Sequence, residues 1–332
     1  MIVSDFGMSC AITDFLPGPS TSVLYPTETV HRIAQCPQTC KARKLILAKD
    51  VQQRIKQLDG LFDATVMALI VSYACLLVLW LTGDVPWFVA VPAFAILRTS
   101  LAGGGHYYLH RAGKTLGDVL FDINYVGTAA TGVDGHCLLH HMYTQSDADV
   151  KRGFFGGMMG VPRLLRLPVH TLHKLGHVTT GMLLKGYEFE FDSESSENQG
   201  VYTKLREMKK ISVNWKFWCL QALLRLEFVL AVYQGLFWSW LGQFVLSLWI
   251  GTLLVVSSHD FTGAVAKDSK DWAKYQLLNA HDMIITGNPW VDCFLSAGLA
   301  PHRAHHIFPY QRSGFANHYS NHFLAAACKE QG

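Results

Sequence analysis

From Leu61 to Leu81 the chain reads LFDATVMALIVSYACLLVLWL, and a run this long and this apolar has few folds open to it. A helix rises ~1.5 Å per residue, so about 20 such residues cross the hydrocarbon core of a bilayer. Only a helix or a closed barrel satisfies its own backbone polar groups there. The segment therefore predicts a membrane-spanning helix. The connector TGDVP turns the chain, and WFVAVPAFAILRTSLAGGG from Trp87 to Gly105 brings it back, with Arg98 placed to snorkel to the interface. A second apolar block, Phe217 to Ser258, is too long for one crossing, and SWLG at Ser239 to Gly242 offers the turn. Arg225 and Glu227 in its first arm either face protein or mark a helix that starts at the interface. The expected fold is all-α and integral to a membrane, with four transmembrane helices arranged as two hairpins.

Composition agrees. Half of the 332 residues are hydrophobic and 16% are charged, against roughly 25% charged in soluble proteins. The net charge of +3 comes from scattered Lys and Arg, so no basic stripe of the kind that grips nucleic acid is present. The eight cysteines are single or loosely spaced and read as reduced thiols. Cys36 and Cys40 in CPQTC lack a second Cys or His pair at zinc-site spacing.

Residues 1–60 are polar, with Pro17, Gly18 and Pro19 breaking any early helix and no apolar run to act as a signal peptide. They are expected to form a partly disordered cytosolic segment ahead of a membrane-embedded domain at 61–332. The acidic run EFEFDSESSENQG, Glu188 to Gly200, reads as a solvated loop. Two hairpins place the N-terminus and the Lys and Arg residues of 41–56 and 204–216 on one face, which the positive-inside rule makes cytosolic.

Eight of the sixteen histidines fall on that same face in three short clusters: HYYLH (His106, His110), HCLLHH (His136, His140, His141) and HRAHH (His302, His305, His306). Histidines three or four apart on a helix share one side, so each cluster presents a pair of imidazoles to a common point. Eight nitrogens exceed the needs of one ion, and two metals with four or five ligands each is the economical reading. Imidazole suits zinc, copper, iron and nickel alike. Beside a buried acyl chain, a redox metal using O₂ can attack a C–H bond that no side chain could deprotonate, and iron fits that task best.

At these residues the chain resembles the membrane fatty acid desaturase and hydroxylase superfamily, whose three histidine boxes match here in order. HHMYTQSDADV after the second box and HRAHHIFP around the third look like the family's flanking stretches. The resemblance covers about Leu61 to the C-terminus. It implies a cap of cytosolic helices carrying a histidine-bound di-iron site, with a ninth ligand at the end of the fourth spanning helix. His259 in VVSSHDF stands at that location, and His281 in LNAHDMIITGN is a second candidate. Relatives that desaturate toward the carboxyl end often begin the third box with Gln, where this chain has His302. Many also carry a fused cytochrome b5 domain with a His-Pro-Gly-Gly signature, which this sequence lacks. Electrons would come from a separate cytochrome b5 or a ferredoxin.

The other histidines have plainer readings. His170, His173 and His177 lie at helical spacing in HTLHKLGH and suggest an interfacial amphipathic helix. His31 and His322 read as surface residues. Ligating imidazoles need partners on their other nitrogen, and His318, Asp134, Asp147, Asp149 and Asp282 are candidates for that role. Gly103, Gly104 and Gly105 either allow close backbone approach or form a flexible helix end.

The resemblance implies a fatty acyl desaturase acting on a lipid acyl chain with O₂ and two irons, in the endoplasmic reticulum of a eukaryote or in a plastid or bacterial membrane. A lipid hydroxylase on the same scaffold is the nearest alternative. A non-catalytic membrane metal-binding protein is the alternative from a different class.

Overall fold

A computed structural model describes residues 45–111, 160–180, 215–259 and 272–329, together with 117, 120, 121, 123, 124, 136, 140, 141, 144, 145 and 149. Residues 1–44, the basic stretch 204–214, the acidic run at 188–200, His31, Cys36, Cys40, Asp134, Asp147 and the side chain of His177 lie outside the described residues.

Every described element is a helix. The first, α1 (Lys49–Leu81), runs unbroken through the boundary expected at residue 60. Its buried positions Val51, Ile55, Leu58, Phe62 and Val66 form one stripe at helical spacing. Val51 and Ile55 join a core with Trp272, Ile307, Phe308 and Leu324, whereas Phe62 and Val66 pack with Leu101, Tyr107 and Tyr108. One rod thus anchors the C-terminal cap and continues into the apolar bundle. Asp63, the lone charge among the first residues of the apolar run, accepts hydrogen bonds from Tyr108 at 2.9 Å and Arg111 at 2.6 Å.

Gly83, at φ 85°, ends α1. Its N–H bonds Trp80 O and that of Asp84 bonds Leu79 O, the paired closure that a left-handed glycine permits. The helix α2 (Trp87–Leu109) returns along α1, and its most extensive partner is α5 (Phe237–Ser258). Between them in sequence come α3 (Arg163–Thr180) and α4 (Trp215–Tyr233). The turn between α4 and α5 falls at residues 234–236, not at Ser239 to Gly242 as expected. Gly235 takes φ 72°, with the same closure as Gly83. Gly242 lies inside α5, where a Cβ would sit 3.4 Å from Val91 of α2. Its small size serves helix packing.

Arg98 does not snorkel. It is fully buried and forms an ion pair with Glu227 of α4. Tyr73 of α1 donates to Glu227 at 2.9 Å, and Arg98 donates to Ile123 O at 2.9 Å. The carboxylate lies within reach inside the bundle, so the guanidinium stays in. Arg225 is exposed. Farther from the cap, Trp80, Phe94, Trp240, Phe244 and Leu248 close a dense apolar core.

Three of the described helices, α1, α2 and α5, are long and apolar enough to cross a membrane. The cap consists of α6 (Trp272–Asn279), α7 (Pro289–Leu295), α8 (His302–Ile307) and α9 (Gly314–Lys329), with α9 packed on α1, α7 and α8. The α3 helix is amphipathic. His170 and Lys174 are buried and Trp249 donates to Thr171 at 2.7 Å, while Leu164 is 91% exposed and Leu172 69%.

Removing one partner of a buried ion pair strands the other charge, at a cost of about 3–5 kcal/mol, whereas replacing both by apolar groups is often neutral. Glu227→Leu is expected to lower the thermal unfolding midpoint in detergent markedly, and Arg98→Met combined with Glu227→Leu to recover much of it. Equal midpoints in wild type and Glu227→Leu would contradict this account of the bundle.

Candidate metal centre

The last turn of α2 carries His106, and His110 caps its end, four residues apart on one side. Three glycines bring that turn into place. A Cβ on Gly103 would meet Ala297 O at 2.1 Å, one on Gly104 Val66 Cγ2 at 2.8 Å, and one on Gly105 Phe121 N at 2.3 Å. The triplet is a site of close backbone approach within a regular helix. His302, His305 and His306 occupy the short helix α8, and His259 caps the C-terminus of α5.

These residues meet in two buried groups. His106, His110, His136, His141 and His305 form one, and His140, His259, His302 and His306 the other, with the nitrogens of each group within 4.8 Å of one another. Each group mixes residues from the second and third clusters. Between rings, Nε2 of His302 lies 2.8 Å from Nε2 of His259 and 3.1 Å from that of His306. Nε2 of His136 lies 3.1 Å from those of His110 and His141.

Burial, reinforced by neighbouring imidazoles, pulls the pKa values of His110 and His259 down to about 3 and holds those of His136, His141, His302, His305 and His306 well below the ordinary range. These rings are therefore neutral near pH 7, the form that offers a lone pair to a metal. Among the described residues, Nε2 of His305 is buried with no hydrogen-bond partner. A cation at the centre of its group would satisfy that nitrogen and draw together lone pairs that otherwise repel. The all-imidazole donor set suits zinc, copper, iron or nickel.

Several rings anchor their other nitrogen on polar partners. Asp149 receives His140 Nδ1 at 2.9 and 3.0 Å and the backbone N–H of Gln145 at 2.7 Å. Burial raises the pKa of this carboxyl, but the contacts with His140 and Gln145 more than offset it and hold it low. His259 donates through Nδ1 to Asn279 O at 2.8 Å, the Asn317 amide lies 3.2 Å from His305 Nδ1, and Gln276 meets His306. Asn279, Asn317 and Gln276 carry no spacing signal; only their position in the fold marks them.

The other candidates sit elsewhere. Asp282 accepts from the backbone N–H of Arg303 at 2.8 Å and so braces a loop. His281 lies outside both groups, its N–H on Ser258 O. His318 packs on Trp290, His322 on Phe323, and His170 lies 3.2 Å from Thr252 Oγ1.

A pocket opens beneath the two groups. One wall is the α2 face of Thr99, Ala102, Gly103 and His106, and the other is the α5 face of Gly251, Leu254, Val255 and Ser258. His136 joins His106 from the first group at its upper end, with His140, His259 and His302 from the second.

An all-helical scaffold with a buried double cluster of imidazoles over an apolar pocket defines a membrane-type histidine-centre protein. The chain belongs to the fatty acid desaturase family, whose model matches residues 85–326. No curated protein and no solved structure matches it. Membership makes it an oxidoreductase of the desaturase and hydroxylase type, and with its long apolar helices an integral membrane protein.

Partners that orient ligating histidines typically contribute 10- to 100-fold in metal affinity, so Asp149→Asn is expected to lower affinity by about that factor. Competition with a chelator in detergent measures it, and wild-type affinity would remove Asp149 from the centre.

Proposed function

We propose that this chain is a fatty acyl desaturase that holds two iron ions and introduces a double bond into a lipid acyl chain, using O₂ and electrons from a separate cytochrome b5 or ferredoxin. His106, His110, His136, His141 and His305 would hold one ion, and His140, His259, His302 and His306 the other. The observation that carries this reading is the pocket, whose apolar walls lead to imidazoles of both groups. Bound iron would supply the O₂-dependent removal of hydrogen from an unactivated C–H bond, chemistry beyond any side chain here.

The protein's own residues do the rest. Facing strips of α2 and α5 would hold an acyl chain extended along the helices. Phe94, Phe244 and Leu248, fully buried in the core, close off the space between these helices farther from the cap. The cap keeps bulk water from the imidazoles, and Asp149 orients His140.

In this reading α4 is the fourth crossing, its Glu227 neutralised by Arg98. Both hairpins then open to the cytosol, where basic residues at 41–56 and 204–216 favour placement. The host membrane is the endoplasmic reticulum in a eukaryote, or a plastid or bacterial membrane.

Expression in a host lacking the product, followed by mass spectrometry of its fatty acyl methyl esters, tests the reaction. The expected product is two hydrogens lighter than its parent; one heavier by an oxygen would make the enzyme a hydroxylase. His140→Ala is expected to abolish the product while the protein still inserts, and unchanged lipids with wild-type protein would favour a non-catalytic role. Val255→Phe, which narrows one wall, is expected to cut conversion of long acyl chains with iron content unchanged. Undiminished conversion would place the substrate elsewhere.

A further inference from the structure

Gln276 lies on α6, outside all three histidine clusters, and its side chain is fully buried at the seam between the two groups. Its Nε2 donates to the backbone carbonyl of His141 at 3.0 Å. A backbone carbonyl only accepts, so this contact decides which end of the amide points where. The Oε1 end therefore faces Nδ1 of His306, at 2.9 Å. An amide oxygen also only accepts, so the His306 proton must sit on Nδ1. The lone pair is left on Nε2, which faces His302 inside the second group.

Neighbouring groups reinforce the arrangement. Thr144 Oγ1 lies 2.7 Å from Gln276 Oε1, 2.6 Å from His140 O and 3.2 Å from His306 Nδ1; with its one proton on either oxygen, the hydroxyl can only accept from His306. Tyr275, the adjacent residue, donates to the carbonyl of Thr144 and holds that segment against α6. One amide thus connects the backbone of a first-group histidine to the ring of a second-group histidine.

We propose that Gln276 is a positioning residue that locks His306 in its Nδ1–H tautomer, and so selectively strengthens the hold of His140, His259, His302 and His306 on their ion. The inference rests on the reading of both groups as ion sites. Without the amide oxygen, only the Thr144 hydroxyl at 3.2 Å is left to accept from Nδ1, and the His306 proton moves more readily to Nε2, where it would point an N–H at the ion and end its ligation.

The test uses full-length protein in detergent as wild type, Gln276→Leu and Gln276→Glu, each loaded anaerobically with ferrous iron and then followed during chelation. Wild type is expected to hold two irons. Gln276→Leu is expected to release one of them about 10- to 100-fold faster, with the other leaving at the wild-type rate. Gln276→Glu keeps an acceptor for His306 at the expense of the His141 contact. It is expected to retain both irons, with a Mössbauer change confined to one.

Release at wild-type rates from Gln276→Leu, or equal acceleration of both ions, overturns the proposal. So does a Glu variant that behaves like Leu. If the Leu variant does not fold, the Glu variant decides: two irons with one altered Mössbauer component supports the role, and an unaltered spectrum or loss of an iron removes it. Wild-type protein that binds no iron would overturn the two-ion reading itself. Two irons in wild type with insensitive variants would overturn only the role of Gln276.

Discussion

Nine imidazoles can share a buried volume only if the rings are neutral and their protons point away from the common centre. That condition organises the cap. Desolvation keeps His110, His136, His141, His259, His302, His305 and His306 unprotonated. Outward-facing nitrogens are received by Asp149, the carbonyl of Asn279 and the amide of Gln276. Asp149 arrives on the segment after the second cluster, and Asn279 and Gln276 both arrive on α6, so the centre depends on α6 packing against α8 and the end of α5. Continuous packing of α9 on α8, α7 and α1 is what keeps it assembled.

The bundle below serves the same centre. α2 is squeezed at Gly103, Gly104 and Gly105 by Ala297, Val66 and Phe121, so its last turn can enter the cap. Where α2 and α5 carry small residues, at Ala102, Gly103 and Gly251, a pocket opens. Away from the cap Phe94, Phe244 and Leu248 fill the space fully. The Arg98–Glu227 pair, joined by Tyr73, ties α1, α2 and α4 together beside this pocket. A buried charge pair is a poor source of net stability but demands one geometry.

Turn chemistry explains where reading by pattern succeeded and failed. TGDVP was legible because Gly83 follows an uninterrupted apolar run. Both Gly235 and Gly242 lie in the second apolar block, but only Gly235 adopts the left-handed backbone a helix end requires, so the turn falls there. Distance to a helix end places Arg98 at the interface, whereas the partner that keeps it buried lies 129 positions away on another helix. HTLHKLGH is expected to form an amphipathic helix, and it lies in one whose His170 and Lys174 are buried, with Leu175 packed on the core and Leu172 exposed.

Helical character, the apolar segments and the three histidine clusters were determined by the sequence alone, because residue spacing along one helix is a local property. The partition into two groups was decided only by tertiary structure: His140 and His141 are adjacent in the chain but belong to different groups, and His305 and His306 likewise. Neighbouring residues on a helix point about 100° apart, so one turn can serve two centres, and which centre each serves depends on what the fold sets opposite. The same holds for Gln276 and Asn317, polar residues without a motif that become partners of histidines only once α6 and α9 pack beside α8.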